Sequence, residues 1–436
     1  MGRSRYDNIR FYCDKRVAMV FPDTLRALNN KNYRLFFIAQ AISLTGLWMH
    51  RVAMGWLVYR LTGSNSALGV MDFAASIPIV FLTAIAGAMI ERWDLRKTLF
   101  CCQAGCMAVA LTLAFLTMTD LVTFHIIVFM SLMLGVLDSF ELPCRYALVS
   151  YLVDKKDDIT NAVALNSTNF NLARMFGPTV AGFVIHAVGE GVCFMLNGIA
   201  YSSTLFALKK MDMKEPPIGR ADGGKREPIK EAVEGFRIAN NFAPSRYLLM
   251  LIAMTGFFAF PAIVLMPAMA KSVLGGTSET LGFLLMGVAI GALTGSLIMA
   301  ALKTAHRHAW WCTRTCIGFG ISVILFSLSR NIYMGIVLAA PVGFCMVTCT
   351  ITCNTLLQSM VPVNSRSRIM SLYTLAILGV PPFGSLLSGK IGDLVGTDWS
   401  LFICGVCCTA FAYYFMRKID SVDGQIISAL REQGAL

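Results

Sequence analysis

The sequence predicts an all-α membrane protein in which twelve transmembrane helices form two six-helix bundles. Three observations lead to this fold class. Of the 436 residues, 56% are hydrophobic and only 14% are Asp, Glu, Lys or Arg, whereas soluble proteins carry about 25% charged residues. Long apolar windows recur along the whole chain, and the basic residues fall mostly between alternate windows. Soluble, disordered and small disulfide-stapled classes are therefore excluded.

Twelve windows have the length of a bilayer crossing, which takes about 20 residues at 1.5 Å per residue. Short loops separate most of them, so neighbouring helices are expected to be antiparallel. One break is long, is rich in Pro and Gly and holds nine basic residues, which predicts a solvated linker with an amphipathic helix near 228–240. The predicted spans are 33–59, 66–90, 98–118, 122–144, 161–187, 192–208, 247–272, 280–302, 310–328, 332–357, 367–389 and 397–416.

The spans and the linker divide the chain into five parts. We expect a cytoplasmic N-terminal segment, a first bundle, a cytoplasmic linker, a second bundle and a cytoplasmic tail. Their bounds are 1–32, 33–208, 209–246, 247–416 and 417–436.

The placement of Lys and Arg predicts the orientation. If the N-terminus is cytoplasmic, the cytoplasmic segments hold 31 of the 37 basic residues and the outer loops hold four. Cytoplasmic loops of membrane proteins carry such an excess, so both ends are expected inside. The same spread along one membrane face excludes a nucleic-acid partner, since the charge lies on no groove-fitting element.

The two halves resemble each other in their glycines. Four glycines recur at a constant offset of 207, namely Gly177, Gly182, Gly189 and Gly198 as Gly384, Gly389, Gly396 and Gly405. Small residues let helices approach closely in lipid. Parallel six-helix repeats with a linker are the layout of a two-bundle transporter with a midplane substrate site.

A charged loop follows the second span. It consists of Gly87, Glu91, Arg92, Asp94, Arg96 and Lys97. A short loop with both charge signs can pair with neighbouring helix ends and switch between two packings. An ordinary positive-inside loop is the simpler interpretation.

This loop pattern resembles that of the major facilitator superfamily. The stretches Tyr33–Gln40, Trp48-Met49 and Trp56–Gly63 are similar to the opening of the exporter branch that includes the enterobactin exporter. The stretches 161–178 and 354–373 belong to the same pattern. The resemblance covers both halves and implies alternating access driven by a proton gradient. Siderophore exporters, macrolide pumps and drug antiporters share these features, so it does not specify the substrate.

The fifth span carries a sequence similar to the antiporter motif of this superfamily, with Gly177, Pro178 and Gly182. Proline removes a backbone donor and glycine thins the helix, so the span can bend and pack closely. An ordinary membrane-helix kink would have the same residues. The resemblance favours export over import.

Several charged residues lie at bilayer depth, where each needs a partner or a function. Arg51 and Asp72 have similar predicted depths, so they can form a pair between adjacent helices, either as a proton site or as a static pair. Asp138 and Glu141 share one helix face, and Arg174 is expected to meet an anionic substrate group or a coupling carboxylate. Glu141 is expected to join Arg145 in the cytoplasmic charge cluster with Glu91 and Asp94.

The resemblance places helices 1, 4, 7 and 10 around the cavity. It therefore implies five cavity residues, Gln40, Trp48, Phe257, Phe260 and Asn354. Aromatic side chains with sparse amides suit a bulky amphipathic ligand.

Other signals are weaker. The fourteen cysteines include Cys345, Cys349 and Cys353 on one helix face, but cysteine also packs as a small hydrophobe, so no metal site is predicted. The sequence from Gly384 to Ile391 lacks the Ser or Thr of a phosphate loop, which argues against ATP. No catalytic triad and no cofactor are expected, so the chain is predicted not to be an enzyme.

The prediction is a monomeric, proton-driven exporter of a small amphipathic molecule in a bacterial inner membrane, with a siderophore as the favoured substrate. Multidrug or macrolide efflux is the nearest competing function. The sequence also allows import of a siderophore or a soft metal, and it allows a non-transporting receptor or scaffold.

Overall fold

The computed structural model describes residues 23–90, 93–153, 156–212, 236–301, 305–420 and 423–433, and all regular secondary structure in these ranges is helical. A short 3-10 helix, Asp23–Asn29, precedes the first long helix. The long helices of the first half are α1 (Lys31–Thr62), α2 (Asn65–Ile90), α3 (Leu95–Met118), α4 (Phe124–Tyr151), α5 (Lys156–Val188) and α6 (Glu190–Lys210).

The second half repeats this order with two interrupted helices. Its elements are α7 (Ala243–Ala259), short helical turns at Pro261–Val264, Met266–Ala268 and Met269–Val273, then α8 (Ser278–Ala301), α9 (Ala305–Ser327), α10 (Ile332–Met360), α11a (Val363–Leu378), α11b (Pro381–Val395), α12 (Thr397–Asp420) and α13 (Asp423–Glu432).

Every predicted span overlaps a helix, but two spans are not continuous. α7 ends before Pro261, and the eleventh span breaks at Gly379 and Val380, before Pro381. Proline supplies no backbone N–H and favours the first turn of a new helix, which explains both breaks.

Ten helices of the described residues are long and apolar enough to cross a membrane, and Trp311–Ser327 is a shorter apolar helix. α5 does not belong to the ten, because polar residues such as Asn171 and Arg174 interrupt its apolar run. The all-helical fold is therefore confirmed, while the number of twelve crossings stays a prediction.

The two halves pack in the same way. α1 packs on α5 and α6, α2 on α4, and α3 on α4 and α6, while α7 packs on α11b and α12, α8 on α10, and α9 on α10 and α12. Between the halves, α5 packs on α8 and α2 packs on α11b. Each interface has a counterpart six helices along the chain, as a parallel repeat requires.

Two of the repeated glycines share the same unusual backbone conformation, with a positive φ. Gly189, before α6, has φ 87° and ψ 169°, and Gly396, before α12, has φ 97° and ψ 154°. Residues with a side chain rarely adopt this positive φ, so the glycine is required for the tight turn in both halves.

We call the outer face the end of the molecule that carries residues 63–64, 119–123, 189, 274–277, 328–331 and 396, and the inner face the opposite end. Among the described residues, the hydrogen bonds that we find between the two bundles lie at the outer face. The molecule is therefore closed at the outer face.

Candidate functional site

An ion pair between α1 and α4 forms the centre of the candidate site. Arg51 Nη2 lies 3.6 Å from Asp138 Oδ2, with the arginine side chain half exposed and the aspartate mostly buried. The sequence allows a pair between Arg51 and Asp72, and the structure instead brings Arg51 to Asp138. Protonation of such a carboxylate would release the arginine, so the pair can act as a switch.

Trp48 forms the apolar wall of this ion pair. The Arg51 guanidinium lies 5.3 Å from the centre of the Trp48 ring, a cation–π distance. The Phe170 ring meets the same indole edge to face at 5.7 Å. Gly177 permits this arrangement, because a Cβ there would lie 2.6 Å from the Trp48 Cβ.

Asp72 lies on α2, where it faces the other bundle. Its carboxyl is close to the Ser385 hydroxyl of α11b and within the electrostatic influence of Arg51. Asp72 thus belongs to the interface between the bundles, and its pairing with Arg51 does not form in this structure.

A second, deeply buried ion pair lies one helical turn further along α4. Arg145 Nη1 is 3.5 Å from Glu141 Oε1, and both side chains are less than 10% exposed. Gln103 on α3 donates a hydrogen bond of 3.1 Å to the same carboxylate oxygen. The predicted pairing of Glu141 with Arg145 is therefore present, while Glu91 lies outside the described residues.

Arg174 lies on α5 and is partly buried. Its Nη2 donates a 3.0 Å hydrogen bond to Asn171 Oδ1, and we find no carboxylate within ion-pair distance of it among the described residues. The guanidinium is therefore held by an uncharged neighbour, and the structure does not bring it to Asp138 or Glu141.

A small polar pocket lies between α1, α4 and α5. It encloses about 160 Å³ and is lined by Leu44, Arg145, Tyr146, Asn166, Ser167, Phe170 and Asn171. Asn171 connects this pocket to Arg174. Amide, hydroxyl and guanidinium donors beside two aromatic rings can bind an oxygen-rich group attached to an apolar body.

The charged loop after α2 is described only in part, since Glu91 and Arg92 lie outside the described residues. Gly87 lies in α2. Asp94 caps α3 by accepting from the backbone N–H groups of Arg96 and Lys97 at 3.0 and 3.1 Å. Burial favours the neutral Asp94 carboxyl, but hydrogen bonds from Lys97 and its charge dominate, so the Asp94 pKa falls below its usual value.

The antiporter-like segment of α5 has two packed faces. Gly177 packs on α1, at Trp48 and Thr45, whereas Gly182 and Pro178 pack on α8 of the other bundle. A Cβ on Gly182 would lie 2.7 Å from the Ser278 carbonyl oxygen. One segment therefore connects the Trp48 wall to the interface between the bundles.

The remaining predicted cavity residues do not meet at one point. Gln40 is buried in α1, and its amide atoms have no hydrogen-bond partner among the residues that the structure describes. Phe260 packs on Phe319 with ring centres 5.9 Å apart, and Phe257 packs on Phe258 at 4.9 Å. Asn354 accepts a 2.7 Å hydrogen bond from Gln358 in its own helix.

The cysteines between α9 and α10 form a buried sulfur cluster. Cys312 and Cys353 have Sγ atoms 3.2 Å apart, and Cys316 and Cys349 have Sγ atoms 2.8 Å apart. In the described part of the chain, no group of His, Cys, Asp or Glu is arranged to hold a metal ion.

Sequence reasoning missed the polar contacts at the outer face. Asp393, near the end of α11b, accepts hydrogen bonds from Ser64, Asn65 and Ser66 at the start of α2. A lone acidic residue three positions before the repeated Gly396 was the available signal, but nothing in the sequence shows that it meets residues more than 300 positions away.

The family comparison agrees with this architecture. The transmembrane secretion effector family matches residues 23–431. The chain belongs to that family. Its described helices, the paired bundles and the charged interior are those of a membrane transporter of the major facilitator type, and not of an enzyme.

Relatives of this family member include named transporters. It is 24% identical to the staphyloferrin A transporter of Staphylococcus aureus (strain NCTC 8325 / PS 47) over 88% of its own length and 96% of the relative. It is 22% identical to the multidrug efflux pump Tap of Mycolicibacterium fortuitum over 79% of its length and 85% of the pump. The macrolide efflux protein A of Streptococcus pyogenes is 19% identical, with 91% and 98% covered.

Solved transporter structures share the fold. The nucleoside transporter NupG has a TM-score of 0.67 at 13% identity, with 89% of this chain and 98% of that chain covered. A bacterial homolog of the human lysosomal transporter Spinster, in an inward-facing conformation, has a TM-score of 0.59 at 12% identity, with 92% and 95% covered. The major facilitator fold predicted from the sequence is confirmed.

Proposed function

We propose that this chain exports a small anionic amphiphile across a bacterial inner membrane in exchange for protons, and that a siderophore is the substrate. The observation that carries the proposal is Arg174, a guanidinium at bilayer depth that is bonded to Asn171 and not to a carboxylate. A cation in such a place calls for an anionic partner. The protein works by alternating access as a monomer, with both termini in the cytoplasm.

The proton is carried by the Asp138 carboxyl. While Asp138 is ionised it holds Arg51, and when it takes a proton the attraction between them is lost. Exchange of substrate for protons requires that the two are not carried in the same step. The substrate must therefore bind while Asp138 is ionised. Because Arg174 lies apart from this ion pair, an anion can bind it and leave the pair intact. A substrate that displaced Asp138 from Arg51 would instead bring a proton with it, which is the sign of co-transport.

The relatives support both favoured substrate classes. One relative is named as a staphyloferrin A transporter, and others are named as multidrug or macrolide pumps. Drug efflux is therefore the second candidate. The aromatic side chains of Trp48, Tyr146 and Phe170 suit either class, whereas the positive charge of Arg174 favours the acidic siderophore over a cationic drug.

Transport in proteoliposomes tests this proposal. The probes are radiolabelled staphyloferrin A, the macrolide erythromycin and the cationic dye ethidium, each followed under an imposed pH gradient of either sign. We expect staphyloferrin A to move against the direction of proton flow. Movement together with protons would indicate import, and movement of ethidium alone would indicate drug efflux.

Variants of Arg174 test the residue that carries the proposal. Arg174→Ala should reduce staphyloferrin A transport at least about tenfold, as expected for loss of a charge-assisted contact, while its amount in the membrane stays near normal. The control is Arg330→Ala, which removes an arginine that pairs with Asp398 at the outer face. Equal loss of transport and of membrane protein in Arg174→Ala would mean that the arginine only supports folding.

A further inference from the structure

A carboxylate of the second bundle caps a helix of the first bundle at the outer face. Asp393 Oδ2 accepts from Ser64 Oγ at 2.7 Å and from the Ser66 N–H at 3.1 Å, and Asp393 Oδ1 accepts from the Asn65 N–H at 2.6 Å. The residues joined are more than 320 positions apart in the chain. All three hydrogen bonds therefore cross between the bundles.

The donors explain why a carboxylate suits this place. The first N–H groups of a helix have no partner within the helix, and the helix N-terminus carries a partial positive charge. Such groups are usually capped by a side chain just before the helix. At α2 the backbone N–H groups of Asn65 and Ser66 are capped by Asp393 of α11b, a helix of the other bundle.

The surroundings hold the two helices close enough for this contact. A Cβ on Gly389 would lie 2.5 Å from the Asn65 carbonyl oxygen, and one on Gly392 would lie 2.9 Å from the Asn65 side chain. Thr397 Oγ1 donates a 3.0 Å hydrogen bond to Asn65 Oδ1. Asn65 is thus bound by the second bundle through both its backbone and its side chain.

The interface related by the repeat has a weaker contact. There α5 meets α8, and Ser278 Oγ donates a 3.1 Å hydrogen bond to the Gly182 carbonyl oxygen. Gly182 corresponds to Gly389 by the offset of 207, and His186 occupies the position that corresponds to Asp393. The described hydrogen bonds at the two interfaces therefore differ, and the carboxylate cap belongs to the α2–α11b interface alone.

We infer that Asp393 is the latch of the outer gate, which holds the outer face closed and must release α2 before that face opens. This inference rests on the alternating access of the proposed function. When the bundles separate, water takes over both the N–H groups and the carboxylate, so the contact stabilises one state only. A cap within one helix would stabilise both states and would have no effect on their ratio.

Spin-label distances across the outer face test the latch without any substrate. Labels at Leu121, between α3 and α4, and at Leu328, between α9 and α10, lie on exposed outer loops of different bundles. They are attached in a background without the native cysteines. Asp393→Asn should raise the ratio of outer-open to outer-closed molecules about tenfold, since charged acceptors form the stronger hydrogen bonds. Ser64→Ala, which removes one of the three donors, should raise it by a smaller factor.

The matched control is Asp398→Asn. Asp398 is also an outer-face carboxylate and receives a 2.6 Å hydrogen bond from Arg330, but both residues belong to the second bundle. Its substitution should leave the distance ratio unchanged. If Asp393→Asn folds and gives the same ratio as Asp398→Asn, the latch is ruled out. If Asp393→Asn folds poorly, Ser64→Ala is compared with Asp398→Asn instead, and an equal distance ratio in these two variants rules out the latch.

Failure of the proposed function would be separate from failure of the latch. A wild-type protein that moves none of the transport probes, but whose outer distance lengthens in Asp393→Asn, would keep the latch and refute the proposed substrate class. A protein that moves the transport probes, but whose outer distance is the same in Asp393→Asn as in the wild type, would keep the proposed function and refute the latch.

Discussion

Glu141 and Arg145 show how an ion pair can be structural although it lies beside a functional site. Both side chains are less than 10% exposed, so each charge is compensated by the other. The Glu141 carboxylate is also stabilised by the hydrogen bond from Gln103. Burying two charges in protein is unfavourable, and removing one partner leaves the other uncompensated. This pair therefore differs from Arg51 and Asp138, whose arginine side chain is half exposed and can exchange partners.

Removing one member of the buried pair tests its structural role. Arg145→Met should lower the free energy of unfolding by about 3–5 kcal/mol, because Glu141 then remains buried without a counter-charge. The double variant Arg145→Met with Glu141→Gln should recover most of that loss. Chemical unfolding in detergent measures both. Wild-type stability in the single variant would show that Glu141 is already neutral or hydrated.

The partner of Arg51 illustrates what the sequence can and cannot predict for single residues. Counting 1.5 Å per residue gives depths, and these predicted Asp72 as the partner of Arg51, while Asp138 was grouped with Glu141. The choice depends on the rotation of each helix about its own axis. In the structure Asp72 faces Ser385 across the interface, which leaves Arg51 to Asp138. Rotation is set by packing against neighbours, and one sequence without its packing does not contain it.

At the scale of elements, α8 has glycines on two faces that serve different purposes. A Cβ on Gly291 would overlap the Ala340 carbonyl oxygen of α10 in the same bundle. A Cβ on Gly282 would lie 3.1 Å from the Pro178 carbonyl oxygen and 3.3 Å from the Gly182 Cα of α5, in the other bundle. The first contact persists when the bundles rock as rigid bodies, whereas the second changes.

Alanine at these two glycines separates stability from transport. Gly291→Ala should lower the free energy of unfolding by about 1–3 kcal/mol through overpacking. Gly282→Ala should leave the free energy of unfolding close to the wild-type value but should slow transport, because the added methyl group loosens the outer contact of α5 with α8. Thermal unfolding and proteoliposome flux measure the two effects. The opposite pattern would mean that the α5–α8 interface does not move.

Helices were predicted best where the length of an apolar run is enough to identify them. Every predicted window overlaps a helix, since about 20 apolar residues at bilayer depth can satisfy their backbone only as a helix. The breaks before Pro261 and Pro381 were not predicted, because proline is tolerated inside other helices here, such as Pro78 in α2 and Pro341 in α10. The tail helix α13 was also missed. It docks through the buried Ile426 and Leu430, which are too few for an apolar window.

For the whole molecule, the glycine repeat predicted equivalent halves, and the structure repeats their packing. Equivalent halves alone do not determine which face is closed, because the closed face depends on a balance between two sets of contacts across the interface. The described contacts place α2 against α11b and α5 against α8 at the outer face. Rigid-body rocking about these interfaces requires them to part in each cycle.

A disulfide across the outer face should therefore stop the cycle. Asn65→Cys with Thr397→Cys joins the two bundles, since Thr397 Oγ1 lies 3.0 Å from Asn65 Oδ1 and both positions already carry a Cβ. Oxidation should abolish proteoliposome transport, and reduction should restore it. The control is Gly318→Cys, which can bond to the native Cys345 within the second bundle, because a Cβ on Gly318 would lie 3.1 Å from Cys345 Sγ. All other native cysteines are replaced by alanine in both proteins.

Because a rigid bundle keeps its internal distances, the control disulfide should leave transport near the reduced level. Undiminished transport with the bundles cross-linked would refute rocking of rigid bundles, whereas inhibition by both disulfides would show that the second bundle itself deforms during the cycle.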